Sequence, residues 1–223
     1  ALAGLRPAPT AASTLPPILW HGRRDRPFLA LTFDDCYLLE RLQELEKLLA
    51  ARPAAKVTFF PVGTALLSTS ARDPDLWKRL TEKGHEIGYH GYRHETGSNL
   101  STEELLADYE AWLDAAAQVL GREPEVRFAR PPYGDRSRSF LNLCLERNLV
   151  LTMWSATWGG EADRARQAMA RAQNGDIVLM HIRTEDVENT RQAFGLRSLR
   201  SLRLVTLSRL YDAMNEYDPR TRQ

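Results

Sequence analysis

His90-Gly91-Tyr92-Arg93-His94 places two imidazoles four residues apart. Along a continued strand four residues span about 13 Å, too far for both rings to reach one ion. On a helical turn the same spacing brings the Cβ atoms to about 5–6 Å, which suits two nitrogens each about 2 Å from one zinc. The pair therefore predicts a strand that breaks into a turn and aims both rings at one point. Two surface histidines on a helix share this spacing, so an acidic partner from elsewhere is needed. Asp34-Asp35 offers carboxylates, and His181 a further imidazole. One carboxylate with two imidazoles makes a three-ligand zinc site with a position left for water. Such a metal lowers the pKa of its water and polarises a carbonyl oxygen. A second carboxylate would accept the water proton, and a third histidine would protonate the leaving group. Taken singly, the two acids also read as helix caps and His181 as a core histidine bonded to a carbonyl. A zinc-protease motif is excluded, because Gly91 stands where that motif needs a glutamate.

The elements that must position these residues alternate between two periods. Phe28 to Phe33 is an apolar run ending in Asp34-Asp35, and it reads as a buried strand. Leu38 to Leu49 has helical periodicity and ends before Pro53, and Val57 to Phe60 is a second strand. Asp73-Pro74 opens a helix through Lys83, followed by the strand that leads to the histidines. Ser101-Thr102-Glu103-Glu104 is a capping box for a helix running to Leu120, with Gly121 behind it. Val126 to Arg130 reads as a strand, Ser139 to Asn148 as a helix and Leu149 to Trp154 as a strand. Arg164 to Gln173 is helical, Ile177 to Met180 is a strand ending in His181, and Leu204 to Leu207 is a last strand before a helix capped by Ser208. Alternation of this kind implies parallel strands with short crossovers, hence an α/β sheet or barrel. Asp34-Asp35, His90/His94, Arg130, Trp154 and His181 all fall at or just past C-terminal strand ends, the face on which parallel α/β folds assemble sites.

Thr32-Phe33-Asp34-Asp35-Cys36, Gly84-His85-Glu86-Ile87-Gly88 leading into the histidine pair, Arg130-Pro131-Pro132-Tyr133-Gly134 and Ile177-Val178-Leu179-Met180-His181 occur in that order. In these motifs the chain resembles the polysaccharide deacetylases of the fourth carbohydrate esterase family, which share the NodB homology domain. The resemblance implies a distorted, incomplete (β/α) barrel of about seven parallel strands, spanning residues 27–217. It implies that Asp34 is the general base, paired with Arg130, and that Asp35, His90 and His94 hold one divalent metal. Zinc suits the set best, and cobalt, nickel, manganese or iron suit it too. The Tyr133 backbone N–H would stabilise the oxyanion, and His181 would be the general acid. Leu179 would line the acetyl pocket, with Pro132 and Trp154 also contacting substrate. The implied reaction removes N-acetyl groups from N-acetylglucosamine-containing glycan of the chitooligosaccharide or peptidoglycan type. The alternative is a metal- or carbohydrate-binding relative that has lost turnover.

Three positions depart from the family pattern. Thr157 stands where a carboxylate is expected to hold the acid histidine, Gly91 replaces a Ser or Thr, and Cys36 replaces a Gly. Glu161 and Asp163 are the nearest acids in sequence to take over as partner of His181. Tyr92, Trp154 and Trp158 are aromatics that either stack on sugar rings or pack beneath the barrel mouth. The chain has 223 residues, 43% hydrophobic and 26% charged, with a formal net charge of +1. That is ordinary globular composition, with no charge argument for nucleic acid. No apolar run approaches the roughly 20 residues of a membrane span. Cys36 and Cys144 are the only cysteines and read as free thiols. Residues 1–26 read as a Pro/Ala-rich leader or linker, and the Ala1 start suggests a signal or anchor removed ahead of it, hence an extracellular, periplasmic or envelope location.

Overall fold

A computed structural model of the protein describes residues 15–216. Residues 1–14 of the expected leader lie outside the described residues. Nine short strands and eight α-helices alternate along the described chain. The strands are β1 (Ile18–Leu19), β2 (Phe28–Asp35), β3 (Thr58–Pro61), β4 (Glu86–Ile87), β5 (Phe128–Ala129), β6 (Val150–Thr152), β7 (Ala156–Thr157), β8 (Ile177–His181) and β9 (Arg203–Leu204). The helices are α1 (Leu39–Ala50), α2 (Gly63–Ser70), α3 (Leu76–Glu82), α4 (Thr102–Leu120), α5 (Arg138–Glu146), α6 (Ala162–Ala170), α7 (Thr184–Gly195) and α8 (Leu207–Asn215).

Every strand pairing is parallel. One sheet runs β4-β3-β2-β8-β7, with β9 beside the start of β2; the other runs β1-β6-β5. A parallel bridge from Tyr89 to Ala129 joins them. The arc is a distorted, unclosed (β/α) barrel. The strand β1 lies inside the stretch read above as leader, and it pairs with Leu151 and Thr152 of β6.

β2 sits at the centre because its residues are apolar on both faces, as a strand covered on both sides requires. Phe28 and Ala30 point into the barrel with Phe60, Phe128 and Ile177. Leu29, Leu31 and Phe33 point outward under the helices, with Leu42, Leu45 and Val187. Side chains two apart share a face, so Thr32 and Asp34 join the inner row. The capping box of α4 forms as its sequence predicts: Ser101 Oγ accepts from the Glu104 N–H, Glu104 accepts from the Ser101 N–H, and Gly121 closes the helix at φ 70°. The last helix differs from expectation. Its cap is the Thr206 hydroxyl, not Ser208, and the strand before it stops at Leu204. Ser208 instead donates to the half-buried Glu86. No described helix is long and apolar enough to cross a membrane.

Candidate metal centre and catalytic mouth

Asp34 and Asp35 end β2, and His181 ends the neighbouring β8, with Asp34 and His181 in register. His90 and His94 follow β4 in an irregular loop, not on the helical turn that their spacing suggested. Gly91 at φ 80° and His94 at φ 61° reverse the chain between the rings, and their centroids lie 5.0 Å apart. Three elements hold this loop. The Gly63 and Thr64 N–H groups at the start of α2 donate to the Gly91 and Tyr92 carbonyls, both at 3.0 Å. Asp108 of α4 accepts from the Tyr92 N–H at 2.7 Å and the Tyr89 hydroxyl at 2.6 Å. His90 Nδ1 lies 2.8 Å from the Arg130 carbonyl; a carbonyl only accepts, so the ring proton sits on Nδ1 and the Nε2 lone pair is left for a metal.

Asp35 Oδ1 lies 3.4 Å from His90 Nε2 and 3.1 Å from His94 Nε2. Bonds of about 2 Å at a tetrahedral centre give ligand-to-ligand edges of roughly 3.3 Å, so the two edges that run from Asp35 have the length that zinc needs, and all three ligand atoms lie within 4.8 Å of one another. The same Oδ1 is buried without a hydrogen bond among the described residues, as an atom reserved for a cation would be. Burial by itself would raise the Asp35 carboxyl, but the two imidazoles outweigh it and hold the group well below the usual carboxylate range. Burial likewise opposes charge on His90, and Asp34 and Asp35 outweigh that and raise its pKa. Cys36 is no ligand. Burial first, then Asp35 and Asp34, push its thiol upward, and its Sγ lies 3.5 Å from the Phe33 carbonyl.

Beside the triangle, Arg130 is fully buried and all three guanidinium nitrogens are bonded. Nη1 donates to Asp34 Oδ1 and Thr32 Oγ1, each at 2.7 Å, Nη2 to the Met153 carbonyl at 3.0 Å and Nε to the Thr152 carbonyl at 3.4 Å. Burial lowers the Arg130 pKa against the pull of Asp34. Asp34 Oδ2 is left facing the triangle, 3.8 Å from His90 Nε2. Five non-glycine described residues have positive φ, and four of them are Asp35, Cys36, His94 and Tyr133. Such conformations cost of order 1–3 kcal/mol each and gather where a site fixes them.

The rest of the mouth is more open. Tyr133 is 73% exposed and its ring meets His94 edge-on, with centroids 4.6 Å apart. Pro132 is buried near Gly91, Trp154 lies over Arg130, and Leu179 forms an inner wall two residues before His181. Trp158 is fully buried in the core, so it does not stack on a ligand. The expected stand-in partners of His181 are not there. Glu161 caps α6 by accepting from Asp163 and Arg164, and Asp163 faces Arg166. Among the described residues, the one carboxylate within 4.0 Å of the His181 ring is that of Asp35.

Asp186, in the first turn of α7, was not anticipated. It is 1% exposed; its Oδ1 accepts from the Gly160 N–H at 2.9 Å, and its Oδ2 has no hydrogen bond among the described residues. A Cβ on Gly159 would fall 2.7 Å from Asp186 Oδ1, so the carboxylate fills the space that a side chain would take. Burial raises its pKa, against the Gly160 N–H and the charges of His181 and Arg183. The signal was present in the acids Glu185-Asp186 directly after the His181 strand, followed by Val187, Thr190 and Ala193 at helical spacing.

A family model described as polysaccharide deacetylase matches residues 21–151. A peptidoglycan-N-acetylglucosamine deacetylase of Bacillus cereus is 29% identical over 166 residues, covering 72% of this chain and 58% of that protein. The chain spans 55% and 58% of the length of two curated relatives that it matches. Among solved structures, the Bc1960 peptidoglycan N-acetylglucosamine deacetylase superposes with TM-score 0.75 at 25% identity, over 86% of this chain and 92% of that one. BA3943 of Bacillus anthracis, a pseudoenzyme of the same esterase family, superposes with TM-score 0.75 at 20% identity, over 87% and 69%. At that identity the second likeness carries the fold alone.

Proposed function

The chain belongs to the polysaccharide deacetylase family, and on that premise we propose that it is a metal-dependent hydrolase removing N-acetyl groups from N-acetylglucosamine-containing glycan. The observation that carries this reading is the Asp35–His90–His94 triangle with Asp34 Oδ2 beside it. A divalent cation held by those three residues, zinc by the donor set and Co2+, Ni2+ or Mn2+ as substitutes, supplies a Lewis acid and a water of lowered pKa. Asp34 accepts the proton of the attacking water at Oδ2, while Arg130 on Oδ1 fixes the orientation of the carboxylate. The Tyr133 N–H donates to the developing oxyanion. His181 gives a proton to the departing sugar nitrogen. Leu179 bounds the space for the acetyl methyl, and Pro132 and Trp154 flank the glycan.

Relatives that act on peptidoglycan support a cell-envelope or extracellular setting for this chain too. The test is acetate release from chitooligosaccharide and peptidoglycan, with elemental analysis of the same preparation. Acetate release that stops with chelator and returns with zinc supports the reading. A second reading, binding without turnover, is favoured by one observation: Thr157 replaces the acid expected to serve His181. Metal-loaded protein that stays silent on every acetylated glycan supports that reading instead.

A further inference from the structure

A cavity of about 610 Å³ lies at the far end of the sheet from the metal-ligand triangle. Lys56 and Gly84 in its lining each precede a strand by two residues, and Arg203 and Leu204 pair with the first two residues of β2. Asp35 ends that strand, roughly 20 Å away at about 3.3 Å per residue. Leu31 reaches the cavity from the outward row of β2, so the space lies between sheet and helices and not inside the barrel. Its volume falls within the roughly 300–1,000 Å³ usual for ligand cavities.

The wall is apolar, with Leu31, Trp158, Phe194, Leu199, Leu204 and Val205 contributing. The charged residues are all of one sign. Arg52, Lys56, Arg200, Arg203 and Arg209 line the cavity, and no Asp or Glu does. Among the described residues only Arg209 of these five meets a carboxylate, that of Glu216. Arg52 and Lys56 donate to the backbone carbonyls of Phe194 and Lys83. Trp158 is fully buried, and its Nε1–H has no acceptor among the described residues. Cations without counter-charges beside apolar walls attract an anion that carries its own apolar body.

We propose that this cavity binds an amphipathic anion: a carboxylate or phosphate head held by Arg200 and Arg203, with an alkyl chain along Phe194, Leu199 and Leu204. The test is calorimetric titration of the full chain with decanoate, decyl phosphate and decanol below their micellar concentrations. The anions bind one to one, and decanol binds at least tenfold more weakly. From octanoate to dodecanoate each methylene tightens binding about three- to fourfold. Tighter decanoate assigns a free fatty acid, and tighter decyl phosphate assigns a phosphate head. The exposed pair R200E/R203E loses at least tenfold in affinity for both anions at an unchanged melting temperature. If that pair fails to fold, R200Q and R203Q each lose about threefold. Equal binding of decanol, a stoichiometry far above one, unchanged affinity in the folded variants, or no binding to the folded parent overturns the proposal.

Discussion

On one side of the mouth, Arg130 spends every guanidinium nitrogen on Asp34, Thr32 and two carbonyls, while across from it the His181 ring comes no nearer than 4.0 Å to a carboxylate among the described residues. The metal side is over-determined. Its two histidines are fixed by α2, by Asp108 and by the Arg130 carbonyl, and that support holds Asp35 and His94 at positive φ. The acid side is held only at its edges: Asp186 and Asn189 of α7 bind the Trp158–Gly160 loop, and the exposed Thr157 offers no charge. The lesson is that a site can hold a candidate metal-ligand set rigid while leaving the proposed proton donor loosely supported. Binding tolerates no displacement of ligands, whereas a proton donor at the rim is free to be served from another element.

The largest expected effect breaks the metal side without removing a ligand. Asp34→Asn lowers kcat for acetate release by about 10²–10⁴-fold, with metal content unchanged by elemental analysis; full activity in this variant removes Asp34 from the base role. Arg130→Met strips the partner from a carboxylate that is 3% exposed, and denaturant unfolding shows a loss of about 3–5 kcal/mol. A loss below about 1 kcal/mol means the metal side is less rigidly built than its hydrogen bonds indicate.

The pH dependence of folding reads the strand beneath the histidines. His85 is held neutral, its pKa lowered to about 4 by burial, with Lys56 and Lys83 adding to the effect, and its Nδ1 accepts from the Val57 N–H at 3.3 Å. Its folded pKa lies below the unfolded value of about 6.5, so the unfolded chain binds more protons between those values. Stability from His85 is therefore complete above about pH 6.5 and drains as pH falls toward 4, by up to about 3 kcal/mol. Glu86 next to it, raised by burial, tilts the other way: its cost appears as pH rises through the unfolded carboxylate value. Urea unfolding from pH 7 to 4 checks the balance, and His85→Gln flattens the loss on the acid side.

The smallest effect tests the acid side. Asp186→Asn lowers kcat about tenfold and leaves KM within twofold, because the amide keeps the Gly160 hydrogen bond but loses the charge that His181 feels. Thr157→Asp in that background restores most of the rate. If kcat does not move in either variant, Asp186 only braces the loop, and the contrast between the two sides is sharper still.

Local patterns made much of this legible. The capping box at Ser101, the apolar run of β2 and the motif residues at strand ends needed only neighbours in sequence. The motif residues were legible as a set, and Asp34, Asp35, His90, His94, Arg130 and His181 do gather at one mouth. What misled were features whose partners are remote. The histidine spacing pointed to a helical turn, but contacts from α2 and α4 impose a left-handed loop. Proximity in sequence favoured Glu161 and Asp163 as partners for His181, yet Glu161 is spent on capping its own helix.

Periodicity and residue chemistry are written along the chain, so the α/β alternation and the order of the candidate ligands could be read from it directly. Only folding sets Asp35 Oδ1 at zinc-ligand distances from both imidazoles. It alone brought a carboxylate from α7 under Gly159 and gathered five cations from two separate stretches of chain around one apolar cavity. Such juxtapositions depend on parallel register and on which helices cover which strands, and no local run of residues carries that information.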